Sequence, residues 1–131
     1  MKKEELIAYW TKSADRDFKT MNNLFEKKDY NWSLFIGHLV IEKLLKAYYV
    51  KKNDDLPPFV HNLVRLAEKA ELQLDEDQKD MLVTVTTFNI RARYDDYKLE
   101  FYKTCTKKFT ESWIKKIKGF RKWIKKQHLK T

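Results

Sequence analysis

A chain of 131 residues, 43% of them hydrophobic, is long enough to bury a core as one domain over residues 1–131 without disulfide staples. Two glycines and two prolines leave few turns, which favours long helices over many short strands. The lone Cys105 excludes a disulfide framework and a cysteine metal centre and suits a reducing cytoplasm, and the expectation is neither a signal peptide nor an apolar stretch long enough to span a bilayer. The net charge of +9 is placed unevenly: residues 1–97 carry 16 Lys+Arg against 17 Asp+Glu, and residues 98–131 carry 12 against 2. A field of that kind favours phosphate-rich partners or an acidic protein surface; the plain alternative is a lysine-rich face that keeps the protein soluble.

The first helical pattern runs from about Lys3 to Lys27, with Leu6, Ile7, Trp10, Ala14, Phe18, Met21, Leu24 and Phe25 recurring every three to four residues. Asp29 or Asn31 can cap the second, which continues to about Lys52, where Asn53-Asp54-Asp55 and Pro57-Pro58 end it. This second helix is apolar almost all round. Trp32, Ile36, Leu39, Val40 and Ala47 gather on one side and Ile41, Leu45 and Tyr48 on the other, with a narrow polar row of His38, Glu42, Lys46 and Tyr49 between them. Such a helix belongs at the centre of a bundle or against a second subunit, and Ile41, Leu45 and Tyr48 make a homodimer the expectation. Lys43 falls inside the apolar sector, either snorkelling to water or aimed into a pocket.

A short third helix spans about Phe59 to Glu71. Asp75 with Gln78 three residues on resembles a capping box for a fourth helix carrying Met81, Leu82, Val85 and Phe88, in spite of the β-branched run Val83 to Thr87. Residues Ile90 to Thr104 read as a connection rich in charge and tyrosine. A last helix from about Cys105 to Lys126 turns Phe109, Trp113, Ile117, Phe120 and Ile124 inward and presents Lys115, Lys116, Lys118, Lys122, Lys125 and Lys126 as a basic surface. The expected fold is all-α: an antiparallel up-and-down bundle of four to five helices.

The three histidines, His38, His61 and His128, have no ligand spacing between them, and no HExxH, CxxC or glycine-rich phosphate loop occurs. Asp95-Asp96 and Asp75, Asp77 and Asp80 read as solvated loop and helix-start acids, so no metal and no cofactor is expected. The unusual stretch is Asn89-Ile90-Arg91-Ala92-Arg93-Tyr94-Asp95-Asp96-Tyr97, where guanidinium groups suited to phosphate stand beside tyrosines suited to stacking on a base.

Three pieces in order resemble the HEPN domain (higher eukaryotes and prokaryotes nucleotide-binding): Ile41-Glu42-Lys43-Leu44-Leu45-Lys46-Ala47, then Pro58 with His61-Asn62-Leu63 and Leu66, then Ala92-Arg93-Tyr94-Asp95-Asp96. The resemblance covers roughly residues 5–126, with Asp95 where relatives carry proline. It implies a helical bundle, commonly dimeric and often encoded beside a small nucleotidyltransferase in a toxin–antitoxin or regulatory pair. It also implies that Lys46 and His61 line a cleft with Arg93, Arg91 and Tyr94. Many members are ribonucleases with a histidine four to six residues after an arginine. Here Tyr97 stands six residues after Arg91, and no histidine follows Arg93 within that range. Arg121 and His128 have six residues between them but sit in the lysine-rich tail, a match read as coincidence. Without an imidazole to move a proton near neutral pH, catalytic residues are absent from this reading. The expectation is a non-catalytic module binding a nucleotide, RNA or a nucleotidyltransferase partner. The alternatives are an unconventional ribonuclease toxin and a structural dimer with a nonspecific basic tail.

Overall fold

Two long helices, α1 (Lys3–Glu26) and α2 (Tyr30–Asn53), lead the chain in the computed structural model, which describes residues 2–130. Neither Asp29 nor Asn31 caps α2 with its side chain. Asp29 holds the N-cap position without a side-chain bond, and Asn31 is buried inside the helix. The turn is fixed by backbone instead: Lys28 takes the left-handed conformation at φ 67° and the Asp29 N–H reaches back to the Leu24 carbonyl at 2.9 Å. The two helices are then tied along their length. Ser33 Oγ donates to the Met21 carbonyl at 2.8 Å, Lys43 pairs with Asp17 at 2.6 Å, and the Lys46 ammonium lies 5.0 Å from the Trp10 ring centroid. Lys43 is thus a snorkelling lysine whose head meets an aspartate rather than a pocket.

The third helix, α3 (Leu63–Lys69), is shorter than its apolar pattern because Asn62 starts it. Its side chain accepts the Arg65 N–H at 3.0 Å, and Phe59 stands fully exposed outside the helix. The capping box of α4 (Glu76–Arg91) is present as read, with Asp75 accepting from the Gln78 N–H at 2.7 Å and Gln78 Oε1 accepting from the Asp75 N–H at 3.0 Å. The β-branched run is helical: Thr86 Oγ1 donates to the Leu82 carbonyl, which satisfies the hydroxyl locally.

The segment read as a connection is a helix, α5 (Asp95–Thr104), so the chain forms six α-helices rather than four to five, with no strand among the described residues. Asp95 and Asp96 in its first turn and Lys103 in its last complement the helix dipole, but Phe101 is its only buried residue. Thr106 caps α6 (Lys107–Ile124) by accepting the Phe109 N–H, and the helix widens into a π-turn over Lys125–Leu129.

One buried cluster draws on all of these elements, with α2 at its centre. Ile41 and Leu45 are fully buried within the single chain, and Tyr48 packs edge-on against His128 of the π-turn at 5.5 Å between centroids. The face expected to need a second subunit is therefore covered already. α6 meets α2 at Gly37, where an added Cβ would lie 2.7 Å from Ile117 Cδ1 and 3.2 Å from Met21 Sδ, so a larger residue would force these side-chain ends to move. No helix among the described residues is long and apolar enough to cross a membrane.

Candidate functional site

The polar row of α2 faces inward. His38 is fully buried, Glu42 is 4% exposed and Lys46 7%. Burial of three ionisable groups on successive turns requires that they satisfy one another. Glu42 does this from the middle: Oε2 accepts from the Lys46 ammonium at 3.1 Å, and Oε1 accepts from His61 Nδ1 at 2.8 Å. His61 arrives from the loop before α3, held there by the Asn62 cap and by His38, whose Nε2 donates to the His61 carbonyl at 3.1 Å. Because Glu42 accepts from Nδ1, the outward nitrogen of a neutral His61, Nε2, carries the free lone pair, on a side chain 65% exposed.

The electrostatics follow from these contacts. Burial pushes the Glu42 carboxyl up, but the His61 hydrogen bond and the charge and hydrogen bond of Lys46 outweigh it and hold the group below the usual value, as a carboxylate. For His38 burial dominates and lowers the pKa below 6.5; the bond to the His61 carbonyl and the Glu42 charge oppose this, and Arg93 adds to it. A neutral His38 donating from Nε2 leaves Nδ1 a buried acceptor with no partner among the described residues.

Arg93 stands beside this cluster, just past the end of α4. Its Nε donates to the Asn89 carbonyl at 2.9 Å and its Nη2 to Asn89 Oδ1 at 3.0 Å. The guanidinium lies 5.4 Å from the ring centroids of both Phe35 and Tyr94. Two of the five guanidinium N–H bonds are thus spent on holding its orientation, leaving three for a ligand. Tyr94, at the N-cap of α5, exposes half of its surface next to it.

The fold divides the remaining candidates. Arg91, two residues away, is directed elsewhere, with its guanidinium 4.7 Å from the Phe101 ring centroid, so it does not join Arg93. Lys46 is used inside the cluster, neutralising Glu42 and covering Trp10, and is not free for phosphate. His61 is at the site and exposed. Glu42, Asn89 and His38 belong to it although none was named as a ligand-binding residue; the i to i+4 spacing of His38 and Glu42 and of Asn89 and Arg93 was the available signal. Burial pushes the Cys105 thiol up to about 12, so it offers no thiolate.

Arg121 and His128 do not form a unit. Arg121 donates from Nη2 to Asp15 Oδ1 at 3.1 Å and lies over Phe18, whereas His128 is packed against Tyr48 and Trp123. Lys125 also reaches Asp15 Oδ1, at 2.8 Å, and the two cations hold that carboxyl low against the opposing effect of burial. Of the basic surface, Lys115, Lys116, Lys118, Lys122 and Lys126 remain exposed, with the Lys116 ammonium over the Trp113 ring. Lys118, Lys122 and Lys126 line, with Arg121 and Lys125, a shallow cavity of about 370 Å³ over Phe18.

Among known proteins, no curated sequence and no solved structure matches the chain. The family model described as the HEPN domain matches residues 7–127.

Proposed function

The chain belongs to the HEPN domain family, and on that premise we propose that it is a non-catalytic module whose Arg93 binds the phosphate of a nucleotide or of RNA, with Tyr94 stacking on the base. The observation that carries this reading is the Asn89 clamp: a guanidinium oriented by two hydrogen bonds, flanked by two aromatic rings, with donors to spare. The exposed lysines of α6 supply a diffuse attraction that salt weakens. An antiparallel up-and-down arrangement is supported by the pairing of Met21 with Ser33, Asp17 with Lys43 and Trp10 with Lys46, partners that separate steadily from the α1–α2 turn. The reading extends to a cytoplasmic regulatory or toxin–antitoxin pair with a small nucleotidyltransferase, and to a homodimer. Among the exposed apolar side chains, Trp32, Leu99 and Tyr102 line one groove of about 500 Å³ between α5 and the start of α2, a surface open to self-association.

The test is binding of adenosine monophosphate and of a short single-stranded RNA at two salt concentrations. Arg93→Ala weakens both by about tenfold or more, and Lys122→Ala by less than about threefold, because one exposed lysine contributes only diffuse charge. Equal binding by wild type and Arg93→Ala sinks the proposal and leaves the basic surface as the binding element.

A second reading rests on a different observation. His61 is an exposed imidazole backed by a buried carboxylate, an arrangement able to move a proton, and it enters the site from a loop that an arginine-to-histidine spacing along the chain could not reveal. If RNA incubated with the protein without metal is cut, and His61→Ala abolishes the cutting, the unconventional ribonuclease replaces the binding module.

A further inference from the structure

A cavity of about 600 Å³ opens between the first half of α4 and the second half of α6, with no member of the Arg93 cluster in its walls. Its α6 wall is aromatic, since Trp113, Phe120 and Trp123 share one side of the helix. The rings are pinned from behind: Trp113 stands edge-on to Phe88 at 5.6 Å between centroids, and Trp123 packs against His128 at 4.6 Å. The facing wall, from the N-cap and first turns of α4, carries Asp75, Asp77 and Asp80 beside Gln78, Met81 and Thr84. Asp75 is engaged in capping, but Asp77 and Asp80 have no ion-pair partner within 4.0 Å among the described residues. Against these three carboxylates the lining holds one cation, Lys116, so the cavity is negative in a chain whose net charge is +9. The Lys116 ammonium lies 4.2 Å from the Trp113 ring centroid, so the wall already receives a positive charge on an aromatic face.

Gly119 is an independent sign. It lies on the same wall, inside α6, where glycine weakens a helix. Close packing explains Gly37, but a Cβ added to Gly119 would meet nothing within 4 Å. No neighbour requires a bare Cα there. Its effect is to leave the floor of the cavity open.

We propose that this cavity binds a small organic cation: an ammonium carried on an apolar body. The charge faces Asp77 and Asp80, and the body lies on Trp113, Phe120 and Trp123. Lys116 is exposed and withdraws to water when the ligand takes its ring. The three carboxylates repel phosphate, which separates this site from the one at Arg93.

Benzyltrimethylammonium is the probe and benzyl alcohol its uncharged counterpart, each titrated into the full chain by calorimetry and by tryptophan fluorescence. The ammonium binds saturably and about tenfold more tightly than the alcohol. Asp77→Asn combined with Asp80→Asn weakens it about three- to tenfold, a surface charge change that leaves the core untouched. Gly119→Leu grows a side chain into the open space and removes binding while the melting temperature holds. The proposal is overturned by equal binding of the two probes, by unchanged binding in the Asp77→Asn/Asp80→Asn variant or in Gly119→Leu, by displacement of the ammonium with adenosine monophosphate, or by no saturation up to the order of 10 mM.

Discussion

Replacing Glu42 with methionine would strand the Lys46 ammonium. Lys46 is 7% exposed, its Nζ lies 3.1 Å from Glu42 Oε2, and beyond that carboxylate it has, among the described residues, only the Trp10 face. Removing one member of a buried pair costs about 3–5 kcal/mol, because the other charge stays in a medium that solvates it poorly. Lys46→Met is milder, about 1–3 kcal/mol, since Glu42 keeps the His61 N–H at 2.8 Å. Replacing both leaves apolar side chains of similar volume and costs about 0–2 kcal/mol, well under the roughly 4–8 kcal/mol that independent effects would give. For a chain of this size Glu42→Met lowers the melting temperature by roughly 10–20 °C. Urea unfolding at neutral pH, followed by far-ultraviolet circular dichroism on the four members of the cycle, measures all three values. If Glu42→Met costs under about 1 kcal/mol, or if the two single changes simply add to within about 0.5 kcal/mol, the charges are not held as a buried pair and the reasoning fails.

Acid should weaken the fold in two stages. The folded pKa of His38 lies below 6.5, so the unfolded chain binds its proton more readily; that contribution is complete above about pH 6.5 and is lost as pH falls from there towards the folded value. His128, also lowered by burial and by Lys51, adds to the same window, so His38→Gln should shrink the decline without abolishing it. The folded pKa of Glu42 lies below 4.5, so its stabilisation is present above that pH and lost below it. A urea midpoint that stays flat from pH 7 to 5 contradicts this assignment for the histidines. The two glycines should respond oppositely to alanine. Gly119→Ala should stabilise by about 0.5–1 kcal/mol; Gly37→Ala should destabilise by about 1–2 kcal/mol, as overpacking against Ile117 outweighs the helix gain, with Ile117→Val restoring part of the loss. Chemical denaturation of the three variants decides it.

The helices whose inward faces repeat over several turns were legible in the sequence, and so was the Asp75–Gln78 capping box, because its chemistry is local. α5 was not, because a single inward residue, Phe101, makes no period. Its acidic first turn and basic last turn were the readable signals. Arg91 and Arg93 look like a pair along the chain, yet one still lies on α4 and the other just beyond its C-cap, Ala92, so they diverge to Phe101 and to Phe35. The pairing of His61 with Glu42 bridges 19 positions and depends on how the loop before α3 returns to α2, which no spacing rule encodes. The inward turn of the α2 polar row was equally hidden. Periodicity marked His38, Glu42 and Lys46 as one row but could not show which partners from α1 and the loop before α3 would satisfy them.

The way α5 is attached bears on how sequences of this kind can diverge. Eight of its ten positions are exposed and only Phe101 is buried, so drift there is restrained by little beyond helix formation and solubility. Tyr97, Leu99 and Tyr102 can be rewritten at almost no cost to the fold. Phe101 cannot, because its ring closes the core beside Phe88 and under Arg91. The segment following Arg93 is therefore the natural place for lineages to specialise: a surface next to the arginine proposed to bind phosphate can change its recognition chemistry while the buried Glu42 cluster keeps its partners.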